Sequence, residues 1–524
     1  MRRHIFPGRS TLSVLLRISF SLFIFFQSVS YLIAQDLPEP SGIKVPVHAD
    51  PVLSIDFGIE LRDWDGFGVN YVETAQTRNY DEWPQEYGGF GLMTLEQRET
   101  ILQLIFGEEG LKPGLTKLFL DVWHEGLTKA DNDNDDAWDL NMAGFDHRTT
   151  TKWLCYFNKR GLEITRKRGD DLTMMTTLYG PPAWATKQKF ILGRDLDPQE
   201  KVEVAEYIVS WVKYLHEIEN LPIKYVSFHN EGDAYYRWPR DASNPGEDHR
   251  DYNMWWRPET VVDFLDFTRR RLDKEGLEQV GLTPGETQTW YRFDEWGYAR
   301  AIVENKTAFA NLSLITSHNF ANVWNRTSPY YGDYRSVGID LLRSHKPELH
   351  AWVTSMSWGD MDAGFVDEIR RNIYISKVNG LIPWAVIQRA GQWIGGDPNP
   401  GTGIKINDDG SYDVQRGYYY YKQVCRAGQP GMKVCHVTSL DPAVGLIAFG
   451  SNGTANPDVF IISNIDEENN KECDITVMNS SSNRFVAYRT DMTDRYERAG
   501  TFEVHDGRIK YTAPANSVTT FYAD

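Results

Sequence analysis

The stretch Ile223-Lys224-Tyr225-Val226-Ser227-Phe228-His229-Asn230-Glu231-Gly232 reads as a short buried strand that ends abruptly in Asn-Glu. A carboxyl group at the C-terminal end of a barrel strand points into the pocket where such barrels do chemistry. The surrounding sequence supports a barrel. From about residue 65 to 425, apolar strand-like runs alternate with amphipathic helical stretches, the signature of repeated βα units. Candidate strands are Gly66–Asn70, Lys117–Asp121, Leu172–Leu178, Tyr225–Asn230, Gln279–Leu282, Leu312–Ser317, Ala351–Thr354 and Gly380–Ile387. Eight strands over about 360 residues fit a (β/α)8 TIM barrel with long loops. Helices fit between them: Pro198 to Glu217 carries Val202, Ala205, Ile208, Val209 and Val212 at helical spacing.

After Val434 the pattern becomes short alternating runs: Gly445–Phe449, Val459–Asn464, Cys473–Met478, Arg484–Thr490, Gly500–Val504 and Ser517–Tyr522. Turns such as Ser451-Asn452-Gly453 and Asp506-Gly507 separate them, which predicts a small antiparallel β-sandwich. The strand-like Val52–Phe57 is expected to join it. The predicted division is a signal peptide over 1–30, an N-terminal segment joining the sandwich over 31–64, the α/β barrel over 65–428 and the sandwich over 429–524.

The chain has 524 residues and a formal charge of −18. That excess of acid disfavours nucleic acid, anionic membrane surfaces and, unless local Arg or Lys overrides it, strongly anionic polysaccharides. Arg2, Arg3, Arg9 and Arg17 precede an uncharged apolar run from Ile18 to Ile33, as in an export signal. Cleavage after Ser30 or Ala34 would release a secreted or periplasmic protein, expected to be a monomer with no membrane attachment; an uncleaved anchor is the alternative. Of the four cysteines, Cys425 and Cys435 are the candidate disulfide, across a Gly-Pro-rich turn, with free buried thiols as the alternative. Asp131-Asn132-Asp133-Asn134-Asp135-Asp136 imitates the start of a calcium loop, but Asp136 stands where Gly is needed and Met142 where the closing Glu is needed; a solvated acidic loop is the default, and no metal is expected.

Several strand ends look equipped for a sugar. Tyr179-Gly180-Pro181-Pro182-Ala183-Trp184 leaves a strand through a stiff Pro-Pro turn, which would hold Trp184 at the pocket rim. Asp121, Trp123 and His124 follow another strand, Ser317-His318-Asn319 ends a third, and Pro383-Trp384 lies on the last. Polar and aromatic residues at most C-terminal strand ends mark a barrel active site. A Gly- and Pro-rich loop from Gln388 to Gly401 follows, with Arg389 and Trp393 as candidate substrate contacts, although a structural loop explains it equally well.

Together these motifs resemble glycoside hydrolase family 30, the group of glucosylceramidases, xylanases and β-1,6-glycanases. The resemblance is carried by Asp65-Gly66-Phe67-Gly68 at the first barrel strand, Gly180-Pro181-Pro182-Ala183-Trp184 at the third, His229-Asn230-Glu231 at the fourth, Trp352-Val353-Thr354 at the seventh and Trp384 at the eighth. It implies an oligo- or polysaccharide substrate, retaining hydrolysis of a β-linked glycoside without metal or organic cofactor, Glu231 as acid/base and Asn230 as a sugar-binding donor. It also implies a nucleophilic glutamate after Trp-x-Thr on the seventh strand. This chain has Ser355 there.

An unactivated serine is a poor nucleophile without a paired base. Three explanations remain open. In the first the second carboxylate is relocated, with Glu286 after the fifth strand as first choice and Asp360, Asp362 and Asp121 behind it; a wider separation would suit inversion. Helix capping competes as an explanation for Asp360 and Asp362. In the second a group of the substrate assists, and in the third the site binds sugars without cutting them. Ser355 and Trp358 join Asp121, Trp123, Trp184, His318, Trp384 and Trp393 as expected substrate contacts. The carboxyl pKa of Glu231 is expected to be raised by burial and by neighbouring acids. An esterase or metalloenzyme is the remote alternative, since no Gly-x-Ser-x-Gly elbow or His-x-x-x-His pair occurs.

Overall fold

The computed structural model describes residues 52–75, 86–124, 140, 144–245, 253–320, 332–389 and 401–524. The predicted signal peptide, the acidic run Asp131–Asp136 and Trp393 lie outside the described residues. The first strand, β1 (Leu53–Asp63), precedes eight barrel strands: β2 (Gly66–Asn70), β3 (Leu115–Leu120), β4 (Thr173–Leu178), β5 (Ile223–Ser227), β6 (Gly281–Leu282), β7 (Ile315–Ser317), β8 (Ala351–Val353) and β9 (Gly380–Leu381). Their order is β6-β5-β4-β3-β2-β9-β8-β7, and every pair within it is parallel. Parallel bridges Leu282–Leu312 and Thr287–Ser317 join the two edges and close the ring. Strands covered on both faces read as continuous apolar runs. In β3, Leu-Thr-Lys-Leu-Phe-Leu, all six residues are buried, including its lysine.

Helices on the outside supply the second layer. Lys201–Glu217 packs its Val, Ile, Leu and Trp face inward. Leu95–Phe106 starts with a reciprocal capping box between Thr94 and Gln97, which satisfies two otherwise unpaired backbone donors. The last predicted barrel strand is shorter than expected. Gly380–Leu381 is in the ring, whereas Ile387–Gln388 pairs with Ile404–Ile406 in a separate three-stranded sheet, and Trp384 lies in the turn between them.

The C-terminal region is one nine-stranded sheet with β1 inserted near one end of the strand order. β1 runs antiparallel to Lys433–Ser439 and parallel to Lys471–Met478. The sheet folds over a core containing Ile55, Leu446, Phe460, Ile475, Phe485 and Phe521. Rings from opposite ends of the strand order meet there: Tyr511 lies 5.5 Å from Phe502 and 5.1 Å from Phe521 between centroids. This is the predicted sandwich, with its N-terminal strand. Two of its strands, Lys433–Ser439 and Arg508–Ala513, were not among those expected from sequence.

The Cys425–Cys435 disulfide does not form. All four cysteines are free and buried. Cys425 sits in the helix Arg416–Ala427 and Cys435 in the adjoining sheet strand, and burial pushes both thiols up to about 12.

Candidate functional site

Glu231 follows the end of β5 in a left-handed backbone conformation, φ 50°, which is strained for a residue with a side chain. Hydrogen bonds hold it there. The Glu231 N–H donates to the Glu286 carbonyl at 2.7 Å, and the Glu286 N–H donates to the His229 carbonyl at 2.9 Å. The ends of β5 and β6 thus continue as a paired ribbon past the regular strands. Asn253 Nδ2 donates to the Asn230 carbonyl at 2.5 Å. The ring of His229 accepts the Gly232 N–H at 3.1 Å and is pressed against Gly285. Burial lowers the His229 imidazole to about 3, so it is neutral.

The Glu231 side chain is 9% exposed. His318 Nδ1 lies 3.0 Å from Oε1, and Arg237 donates to Oε2 at 2.7 Å, with Gln288 Nε2 at 3.4 Å. The other nitrogen of His318, Nε2, lies 2.8 Å from Glu286 Oε2. Glu286 is fully buried; Thr177 donates to its Oε1 at 2.5 Å, and the buried Lys117 ammonium pairs with Oε2. Charges therefore alternate through the barrel: Lys117, Glu286, His318, Glu231, Arg237.

The raised pKa expected at Glu231 is corrected by this arrangement. Burial alone pushes the carboxyl up, but the hydrogen bond from His318 and the charge of Arg237 outweigh it and bring it down to about 2. Glu286 is likewise brought to about 2, because Lys117 and His318 outweigh its burial. Burial disfavours the His318 cation, yet its bonds to the two glutamates raise its pKa overall. Flanked by two carboxylates with both nitrogens in hydrogen-bond range, the imidazole of His318 donates in both directions when protonated, the form that its raised pKa favours.

The remaining predicted residues separate into groups. Asn230 Oδ1 and Ser355 Oγ are buried with no hydrogen-bond partner among the described residues. Ser355 continues β8, where its carbonyl accepts the Asn319 N–H at 3.0 Å, and the carbonyl of Thr354 accepts from Lys117 at 3.4 Å. Asp121 is occupied by the Thr74 hydroxyl and the Trp123 N–H, with His124 Nε2 at 3.3 Å. Trp384 lies edge-on to Phe119, 5.8 Å between centroids, with Tyr179 at 6.4 Å. Trp184 is half-buried in a short 3-10 turn against Tyr207, and Trp123 packs with Val122 and Leu192.

Trp358, expected among the substrate contacts, is part of the packed interior. It is fully buried between Phe365 and Tyr421, and its indole N–H donates to the Trp384 carbonyl, so it supports the strand-end turn from beneath. Asp362 caps the helix Ala363–Tyr374 through the Gly364 N–H at 2.9 Å. Sequence reading missed Lys117, Thr177, Arg237 and Gln288. Only Lys117 carries a signal, as the lone charge inside an otherwise uncharged buried strand.

The sequence matches no family model and no curated protein. Solved structures do match. A glycoside hydrolase family 30 subfamily 8 xylanase from Clostridium acetobutylicum superposes with a TM-score of 0.63 at 18% identity, over 90% of this chain and 99% of that one. An endo-β-1,6-glucanase gives 0.64 at 17% identity, over 91% and 94% of the two chains. A conserved exported protein from Bacteroides fragilis gives 0.66 at 12% identity, over 90% and 99%. These likenesses establish the fold: a TIM barrel with an attached β-sandwich, a scaffold on which solved glycoside hydrolases are built.

Proposed function

We propose that the protein hydrolyses a β-linked glycan at the C-terminal mouth of the barrel, with Glu231 delivering the proton to the glycosidic oxygen. The observation that carries this reading is the hydrogen bond between His318 Nδ1 and Glu231 Oε1. The two groups share one proton. In the resting site it lies on the imidazole; its transfer along the bond leaves neutral His318, still donating from Nε2 to Glu286, and makes Glu231 a carboxylic acid. A sugar that displaces the Arg237 guanidinium from Oε2 removes the charge that opposes this transfer. The proton then passes to the leaving oxygen as the bond to the anomeric carbon breaks.

In this proposal Glu286 holds the imidazolium in place. Its oxygens are engaged by Thr177, Lys117 and His318, and the imidazole stands between it and Glu231. Ser355 Oγ has no hydrogen-bond partner among the described residues, so none of them is engaged as a base to activate it. Capture of the anomeric carbon therefore falls to a water or to a group of the substrate itself, and the proton that the water gives up on forming the new C–O bond returns to the His318–Glu231 pair and restores the imidazolium. Asn230 and Trp384 are assigned to the sugar, with Asp121 and Trp184 bordering it. The N-terminal charge and apolar pattern supports export to the periplasm or medium.

A panel of plant, algal and microbial β-glycans, including xylan and β-1,6-glucan, tests the reading with the wild-type protein and Glu231→Gln. Loss of about a hundred-fold or more in the variant is expected where wild type releases sugars. Near-full turnover by Glu231→Gln would overturn the assignment. A second reading, sugar binding without cleavage, is favoured by the double ion pairing of Glu231; binding by both proteins with no product from either would select it.

A further inference from the structure

The loop that leaves Glu231 carries a cluster of aromatic rings at the surface. Tyr235 and Tyr236 are 50% and 54% exposed, large for aromatic side chains. They are joined by half-buried Trp255 and Trp296. Tyr235 lies 5.7 Å from Trp255 and 5.4 Å from Trp296 between centroids, and Tyr236 lies 6.5 Å from Trp296. Scattered surface aromatics need no explanation, but four meeting in one patch beside a strand-end glutamate do.

The patch is also built from below. Asp233, two residues after Glu231, is fully buried, and its Oδ2 takes Arg292 at 3.1 Å while Oδ1 accepts the Gln288 N–H at 3.1 Å. Arg292 donates to the Tyr236 hydroxyl at 3.0 Å and lies over two rings, 5.3 Å from Tyr236 and 4.6 Å from Trp296. Burying a carboxylate is costly, and here it fixes a guanidinium that orients partly exposed rings. The same short turn supplies Arg237, which reaches Glu231 itself. Gln288 connects the two systems, its side chain to Glu231 and its backbone to Asp233.

We propose that Tyr235, Tyr236, Trp255 and Trp296 form a sugar-stacking subsite for a neutral glycan chain, on the leaving-group side of Glu231. The acid must face the glycosidic oxygen, so the sugar that departs lies along the loop bearing the acid. Flat ring faces match the apolar faces of a pyranose, and the guanidinium of Arg292, paired with Asp233, is available only to orient. This rests on the hydrolytic reading for the direction of the chain, and not for the existence of the subsite.

The test uses the full-length Glu231→Gln protein, alone and with Tyr235→Ala/Tyr236→Ala added, and measures binding of neutral xylo- and β-1,6-gluco-oligosaccharides of increasing length by calorimetry. Both tyrosines are surface residues, and thermal denaturation checks that the fold is kept. The expected result is that affinity rises with length in the parent and that the tyrosine variant loses about ten-fold for the longer chains, the equivalent of one aromatic contact. Trp296→Ala is expected to act in the same direction. Equal binding of long chains by parent and tyrosine variant would overturn the subsite, as would the absence of binding to any oligosaccharide. Binding that depends on the tyrosines in a protein that cleaves nothing would support the subsite and defeat hydrolysis. Cleavage of long chains by the wild-type protein, left unchanged when the two tyrosines are replaced, would do the reverse.

Discussion

His318 places its Nδ1 3.0 Å from Glu231 and its Nε2 2.8 Å from Glu286, so a single imidazole ties the ends of three adjacent barrel strands together. The tie is electrostatic, and its strength depends on pH. The two glutamates have folded pKa values near 2, below their ordinary value of 4.5, so their contribution is complete above 4.5 and is lost as pH falls toward 2. His318 is raised above its ordinary 6.5, so its contribution is complete below 6.5 and is lost as pH rises through the folded value. Melting temperature is therefore expected to plateau between about pH 4.5 and 6.5 and to decline on both sides. In His318→Gln the decline above pH 6.5 should flatten. An unchanged alkaline limb in that variant would show that the histidine is not the group responsible.

Lys117 and Glu286 form a fully buried pair. Removing one member leaves the other charge without its partner in a low-dielectric interior, which typically costs about 3–5 kcal/mol. Lys117→Met is expected to destabilise by that amount in denaturant unfolding. Lys117→Met with Glu286→Gln should recover much of the loss, since neither charge then remains. If the double variant is as unstable as the sum of the two single ones, the pair is not coupled as the geometry requires.

Gly285 has φ +95°, and a Cβ there would lie 2.2 Å from the His229 ring. An alanine would meet both the backbone strain and the clash, about 2–4 kcal/mol together. The ring could relieve the contact only by moving, and His229 is joined through backbone hydrogen bonds to Glu286 and onward to Glu231. Gly285→Ala is expected to lower the melting temperature and, in whatever protein population stays folded, to weaken sugar binding. A variant as stable as wild type would show that the His229 ring yields to the added methyl group without cost.

How far the sequence carried depended on whether a feature was local. Strand β2 and the runs Val459–Asn464 and Arg484–Thr490 were legible to the residue because alternation or continuous apolarity marks them directly. Glu231 was legible as a strand-end acid. Its environment was not: His318 is 87 residues away in the chain and Arg237 only 6, yet both reach the same carboxylate, and they reverse the upward shift expected from burial and neighbouring acids. Trp358 reads like its neighbours Trp352 and Trp384, and only packing shows it to be core. The cysteine pair was misread because proximity across a turn says nothing about which way two thiols face. The aromatic patch at 235–236 was passed over because exposed tyrosines have no periodic signature.

Ser355 tests the chemistry most directly. Its hydroxyl is buried and has no hydrogen-bond partner among the described residues, a state that costs about 1–3 kcal/mol relative to a satisfied group. Ser355→Ala removes that unsatisfied oxygen without opening a large cavity. The variant is therefore expected to be as stable as wild type or about 1 kcal/mol more so. If the serine takes no covalent part in the reaction, its turnover of a glycan should stay within about three-fold of wild type, while a rise in KM alone would show that the hydroxyl binds the sugar equally well in the ground and transition states. A fall in kcat of about a hundred-fold with KM unchanged would identify the hydroxyl as a participant and would require a base that activates it. Parallel measurements of kcat, KM and unfolding free energy on Ser355→Ala and Glu231→Gln separate these outcomes, because only Glu231→Gln is expected to lower kcat.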